Sequence, residues 1–344
     1  MEPYLQDDGV IVADVKASST LMNKGSYGES LPGGFLKLSL IEAAYLLENG
    51  RITVKSGRKG RRIDLRTLIA RGLDLNDHFF ENHLVHRDLR NRGLIAKESG
   101  EGNFLVYPRG GRPGRAKADA WVSVFRENDG DEVRSLYSSA VSRENVHRNY
   151  LAAVVDADWD ITYYLVRTYL RGKEADGSKR ADDIPGIEKG EIITDLPRGG
   201  ILYWGERREE LHGAHFMGSE FVDSLMMSRE EDRLINRRSG MDSGGDIKWE
   251  TYYDLRKRGW FVRTGFKYGT HYRVYTQHPS KGHSDLLVHC LSGEDRPTWE
   301  ELSRGIRLCH SVNKRMIFAF SPADDSDGGD AGSPRYLSIE WIRP

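Results

Sequence analysis

Leu89-Arg90-Asn91-Arg92-Gly93-Leu94 in the first half of the chain and Leu255-Arg256-Lys257-Arg258-Gly259-Trp260 in the second are two renderings of one segment, 166 residues apart. The same offset pairs Asp119 in KADAWVSV with Asp285 in HSDLLVHC, and Val146 before YLAAV with Val312 before MIFAF. Between these anchors Phe104-Leu105-Val106-Tyr107 matches Tyr272-Arg273-Val274-Tyr275 at an offset of 168, so the second copy carries two extra residues in the intervening turn. Collinear matches of this kind are an internal repeat, and a repeat sets the architecture before any single element does. Further upstream LPGGFLKLSLIEAAYLLENGRI is set against LHGAHFMGSEFVDSLMMSREEDRLI, with a short β-like run, GVIVAD or GEIITD, ahead of each. Residues 171–190, rich in Gly, Pro and mixed charge, read as an exposed linker. The expected division is therefore 1–170, a first copy, and 191–344, a second.

Each copy has an α/β pattern. Residues 39–48 and 62–72 are predicted helices, the second stopping at Gly72. Two hairpin-like runs follow, GLIAK with NFLVY in one copy and GWFVR with HYRVY in the other. A strand, AWVSVF or LLVHCL, leads into a helix. In the second copy Thr298 and Glu301 form a T-x-x-E capping box, after which Leu302, Ile306 and Cys309 recur on one helical face. The strands YLAAVV or MIFAF, then TYYLV or YLSIEW, complete each copy.

The 344 residues are long enough for about two domains and a sizeable core. With 38% apolar and 30% charged residues the composition is that of a folded globular chain. The net charge of −1 excludes an overall cationic coat and leaves room only for a local basic patch. No apolar run suits a membrane span, and MEPYLQDDGV does not read as a secretory leader, so the expected location is cytoplasmic. Cys290 and Cys309 alone make no disulfide framework.

Polar groups gather between residues 271 and 314: His271, His278, His283, His289 and His310, with Tyr275, Lys281 and Lys314. A structural metal would need paired ligands, but Cys290 and Cys309 are too far apart in sequence and have no such partners. A divalent-metal nuclease would need clustered carboxylates, yet only Asp285 lies near the histidines. For His271, His278, His289 and His310 individually a surface or core role is the simpler reading. The remaining reading is metal-free acid–base chemistry on RNA. There the 2′-hydroxyl is an internal nucleophile that needs a base, an acid for the departing 5′-oxygen and a cation on the phosphorane. Tyr, His and Lys supply these roles without metal or small-molecule cofactor.

FKYGTHYRVY, GHSDLLVH and HSVNKRMIFA, in that order, resemble the catalytic domain of the archaeal and eukaryotic tRNA-splicing endonucleases. The resemblance covers nearly the whole chain, because some archaeal members are fused tandem repeats that pair into a homodimer. It implies a mixed-sheet catalytic subdomain at about 250–344, preceded in each copy by an N-terminal α/β subdomain. It also implies cleavage of precursor tRNA at both splice sites of a bulge-helix-bulge, leaving 2′,3′-cyclic phosphate and 5′-hydroxyl ends. Carried over residue by residue, Tyr275 is the expected base, His283 the acid and Lys314 the cation. A phenol acts as a base near neutral pH only with cations beside it. The first copy has Tyr107 but Lys117 and Arg148 at the other two places, so it is expected to be a structural half.

The resemblance further assigns Asp156, Asp158 and Asp160 to an acidic loop that inserts into a basic pocket of a neighbouring unit. The second copy has ADDSDGGDAGSP there instead. Arg307, seven residues before Lys314, with Trp341 or Arg343, would clamp a bulge base, since guanidinium and indole both stack on exposed bases. Arg256, Lys257, Arg258, Arg263, Lys267 and Arg273, with no acid among residues 255–275, are the expected phosphate-binding patch. Two other classes compete: a non-catalytic RNA-binding scaffold subunit, and a divalent-metal DNA nuclease distinguishable by its sensitivity to EDTA.

Overall fold

The computed structural model describes residues 2–100, 102–130, 133–144, 146–169, 181–186, 191, 193–197, 199–236, 246–292, 295–322 and 333–344. The chain divides into two compact units, residues 1–129, 139–166 and 341–344, and residues 130–138 and 167–340. Both are mixtures of helix with parallel and antiparallel strands, as the repeat pattern predicts. Among the described residues no helix is long and apolar enough to cross a membrane.

The chain opens with β1 (Tyr4–Gln6), β2 (Gly9–Val12), α1 (Val15–Gly25), β3 (Glu29–Leu31), β4 (Phe35–Ser39) and α2 (Leu40–Glu48). Then come β5 (Val54–Lys55), β6 (Arg62–Ile63), α3 (Leu65–Leu75) and α4 (Phe79–Asn91). One sheet takes the order β3-β4-β2-β1-β5-β6. α2 starts where the Ser39 hydroxyl accepts the Glu42 amide at 3.1 Å and Glu42 reaches back to the Ser39 amide, satisfying two otherwise orphaned donors. α3 differs from expectation. It is capped by Asp64, which accepts the Thr67 amide at 2.9 Å, and it runs through Gly72 instead of stopping there. Gly72 is a contact glycine, since a Cβ at that position would sit 2.4 Å from the Phe79 ring.

β7 (Ile95–Glu98), β8 (Asn103–Tyr107), β9 (Ala120–Arg126), α5 (Val133–Glu144), β10 (Asn149–Val155) and β11 (Ile161–Tyr169) follow. β7–β8, β8–β9 and β10–β11 are antiparallel, while β9 and β10, joined through α5, are parallel.

The second half brings β12 (Ile193–Asp195), β13 (Ile201–Tyr203), α6 (Arg208–Gly213), β14 (Ser219–Phe221), β15 (Ser224–Met227), α7 (Arg229–Ile235) and α8 (Ile247–Lys257). It ends with β16 (Phe261–Thr264), β17 (Tyr272–Tyr275), β18 (Leu286–Leu291), α9 (Trp299–Ser311), β19 (Arg315–Phe320) and β20 (Arg335–Ile342). The ladders from β16 to β20 repeat those from β7 to β11. Ile95 faces Tyr107 as Phe261 faces Tyr275, and Ala120 faces Asn149 as Leu286 faces Arg315. α9 begins at the expected Thr298–Glu301 capping box, and Leu302, Ile306 and Cys309 are buried against the sheet.

The N-terminal subdomains also repeat, in a different register from the one the sequence suggests. Leu211 corresponds to Leu21 rather than to Leu31: the Tyr27 amide donates to the Leu21 carbonyl and the Met217 amide to that of Leu211. Ser26 and Phe216 both take left-handed backbone, with φ of 53° and 52°. Gly28 and Gly218 each donate their amide at 2.8 Å to the capping-box glutamate, Glu42 or Glu231. GVIVAD likewise matches β13 in place of GEIITD. Of the stretch 171–190 only 181–186 is described, and there Ala181 and Ile184 are buried in the second core.

Candidate active site

Three strands end together where the predicted chemistry lies. Tyr275 closes β17, His283 and Ser284 lead into β18, and Lys314 immediately precedes β19. Asp285 joins the three. Its amide donates to the Val274 carbonyl at 3.0 Å, its carbonyl accepts the Arg315 amide at 3.1 Å, and its carboxylate accepts the Thr276 amide and hydroxyl at 3.1 and 2.6 Å. The 276–284 loop that carries His283 is thus pinned at both ends. Lys314 follows Asn313, whose φ of 55° turns the chain out of α9. Its ammonium donates to the Ser284 carbonyl at 2.5 Å and lies 5.8 Å from the Tyr268 ring centre.

Tyr275 and His283 line one open cavity of about 560 Å³, together with His212, Phe216 and His278. The Tyr275 ring is half-buried, edge-on to Phe216 at 5.9 Å, with the Arg273 guanidinium 6.0 Å from its centre. His283 is exposed to the cavity. His278 fixes the loop. Its Nδ1 contacts the Ser280 hydroxyl at 2.7 Å and its Nε2 lies 2.9 Å from the Gly213 carbonyl, tying the loop to the end of α6. The structure therefore brings Tyr275 and His283 into one cavity and attaches Lys314 one residue from His283. Sequence reasoning missed His212, Phe216 and His278 as lining groups and Asp285 as the joint. For Asp285 a signal existed, since the repeat keeps an aspartate, Asp119, at the matching place.

The first copy builds the same frame. The Asp119 amide donates to the Val106 carbonyl at 2.8 Å, and its carbonyl accepts the Asn149 amide at 3.1 Å. The side chains around it differ: Tyr107 is buried, Lys117 is exposed, and Arg148 points to solvent with only a distant approach to Asp119 at 3.9 Å.

A family described as "tRNA intron endonuclease, catalytic C-terminal domain" matches residues 79–163 and 246–328, and one described as "tRNA intron endonuclease, N-terminal domain" matches residues 1–69. The tRNA-splicing endonuclease of Methanosarcina acetivorans is 32% identical over 93% of this chain and 95% of its own length. The chain belongs to the tRNA-splicing endonuclease family. That of Methanococcoides burtonii is also 32% identical, over 96% of this chain and 99% of its own, and that of Methanosarcina mazei 30% identical over 96% and 98%. The catalytic-domain match falls on α4 to β11 and again from α8 onward, the two runs whose ladders superpose in register.

The other residues singled out by resemblance to this family are placed as follows. Asp156 closes the β10–β11 hairpin on itself. Its carboxylate accepts the amides of Asp158 and Asp160 at 3.1 and 2.9 Å, leaving the Asp158 and Asp160 side chains exposed beside Trp159. Arg307 is exposed on α9. Trp341 and Arg343 lie on one another, the guanidinium 5.4 Å from the indole centre. The second-copy stretch 323–332 lies outside the described residues.

The basic run 255–273 is only partly a surface. Arg256 is buried and donates to the His215 carbonyl at 2.9 Å. Arg258 pairs with Asp254 at 2.8 Å, and Arg263 pairs with Glu231 at 3.2 Å. Lys257 and Lys267 are exposed and Arg273 is half-buried beside Tyr275. The acidic partners of Arg258 and Arg263 come from positions before residue 255, which the run itself does not reveal.

Proposed function

We propose that this chain cuts precursor tRNA at both intron boundaries of a bulge-helix-bulge, by metal-independent attack of the 2′-hydroxyl on the adjacent phosphate. The single observation that carries the reading is the meeting of Tyr275 and His283 in one cavity, with the Lys314 ammonium bonded to the carbonyl of Ser284. Tyr275 takes the proton from the 2′-hydroxyl, and the 2′-oxygen forms a new bond to phosphorus. The bond to the 5′-oxygen breaks, and His283 delivers a proton to that oxygen. Lys314 balances the charge that develops on the phosphorane, where a fixed cation is worth most. The products are a 2′,3′-cyclic phosphate and a 5′-hydroxyl.

Residues 1–170 act as a structural half and 191–344 as the catalytic one, separated by the 171–190 stretch. Two chains form a homodimer with one site from each second copy. The exposed Asp158 and Asp160 carboxylates enter the neighbouring chain, and Arg307 with the Trp341–Arg343 pair holds an unpaired base. Incubation with end-labelled precursor tRNA in EDTA tests the reading. Two cuts with cyclic-phosphate and 5′-hydroxyl ends support it, and binding without cleavage supports a scaffold subunit instead.

A further inference from the structure

Lys314 touches two groups. Its ammonium is bonded to the Ser284 carbonyl and also lies 5.8 Å from the centre of the Tyr268 ring. Tyr268 in turn walls a second cavity, of about 580 Å³, which lies under α9 and contains neither Tyr275 nor His283. That volume is in the range of small-ligand sites.

The lining selects a ligand class. Three aromatic side chains, Tyr268, His289 and Phe318, are among those that border the space, and Leu308, also in the lining, is exposed. The polar groups are two carboxylates, Asp295 and Glu301, and two guanidiniums, Arg296 and Arg304. Their charges cancel, and Arg304 is in addition paired with Glu300, so the cavity offers no net attraction to a phosphate. Burial holds the His289 pKa down, which removes a third cation from the count near neutral pH. A flat, uncharged, aromatic group with donors and acceptors on its edge suits these walls.

We propose that this cavity receives one unpaired nucleobase of the RNA, next to the phosphate that Lys314 contacts. The inference rests on the endonuclease reading above and adds a base subsite reached from Lys314 through Tyr268. Base-on-aromatic stacking of this kind changes affinity by about tenfold for one base.

The test uses the full chain carrying His283→Ala, so that RNA is bound but not cut, and a set of precursor tRNAs each abasic at one unpaired position. One position is expected to weaken binding about tenfold. Leu308→Trp, which fills the cavity mouth, should bind intact RNA about as weakly and lose the sensitivity at that one position. Leu308→Ala, which leaves the cavity open, should keep it. If the abasic penalty and the Leu308→Trp penalty multiply at every position, or if Leu308→Trp has no effect, the subsite is wrong while the endonuclease reading stands. Cleavage of unmodified RNA by the unsubstituted chain is the control, and its failure overturns both.

Discussion

The carboxylate of Asp285 accepts the Thr276 hydroxyl at 2.6 Å and the Thr276 amide at 3.1 Å, closing the loop that carries His283 onto the end of the strand that carries Tyr275. Thr276 follows Tyr275 directly, and Asp285 stands two residues after His283. The same aspartate accepts, through its backbone carbonyl, the amide that follows Lys314. One residue with no chemical role in the proposed reaction therefore sets the spacing of all three that have one.

Asp285→Ala should then lower the cleavage rate at least tenfold while costing about 1–2 kcal/mol of stability, the usual net size for losing one or two exposed hydrogen bonds. Thr276→Val should do part of the same. Denaturation midpoints and single-turnover rates for the two single variants and the double variant check this. Effects that simply multiply would show that the pair does not act as a unit.

His283→Ala removes the proposed proton donor without touching the loop's anchors. Cleavage should fall by at least 10²-fold, the lower end of the usual acid–base contribution, with RNA affinity changed no more than a few-fold. His278→Phe keeps an aromatic ring against Phe261 but loses both ring-nitrogen bonds. It should slow cleavage less than His283→Ala, and equal losses would argue that His278 has been misread as a loop anchor.

Acid should destabilise the fold through its buried histidines. Burial, aided by His289, pushes the His271 pKa down from 6.5 to about 4. The unfolded chain therefore takes up this proton near pH 6.5 and the folded chain only near pH 4, so stability is full above pH 6.5 and is lost as the pH falls between the two. The loss from this group is about 1–3 kcal/mol. Urea midpoints across that window should drop, and His271→Asn should flatten the drop. A variant with the same pH dependence as the parent would assign the effect elsewhere.

The acidic loop separates into two kinds of aspartate. Asp156 holds the hairpin through the amides of Asp158 and Asp160, so Asp156→Ala should lower the melting temperature. Asp158→Ala with Asp160→Ala should weaken self-association and leave melting of the chain nearly unchanged. Sedimentation at several concentrations reads the first effect apart from the second, and an unaltered dimer would remove the loop from the assembly.

Much of this structure is legible in the chain. The two-residue difference between copies lands in the turns between β7 and β8 and between β16 and β17, and the pairing of Phe261 with Tyr275 follows from it. Thr298 and Glu301 mark the start of α9 because capping is local chemistry. What escaped is long-range. Gly72 reads as a helix stop until Phe79 is seen packed on it, and the basic run reads as a patch until Asp254 and Glu231 are found beside Arg258 and Arg263. The match of Leu21 to Leu211 is hidden because the loops around β3 and β14 differ in length while the backbone hydrogen bonds do not.

In the proposed reaction the nucleophile is the 2′-hydroxyl of the RNA. Its role can be read from precursor tRNA carrying a single 2′-deoxynucleotide immediately 5′ to one scissile phosphate, incubated with the full chain in EDTA. The substituted junction is expected to stay intact while the other is cleaved at its normal rate. Cleavage at the 2′-deoxy junction would contradict that role, because a water or metal-bound hydroxide would then have to be the attacking group.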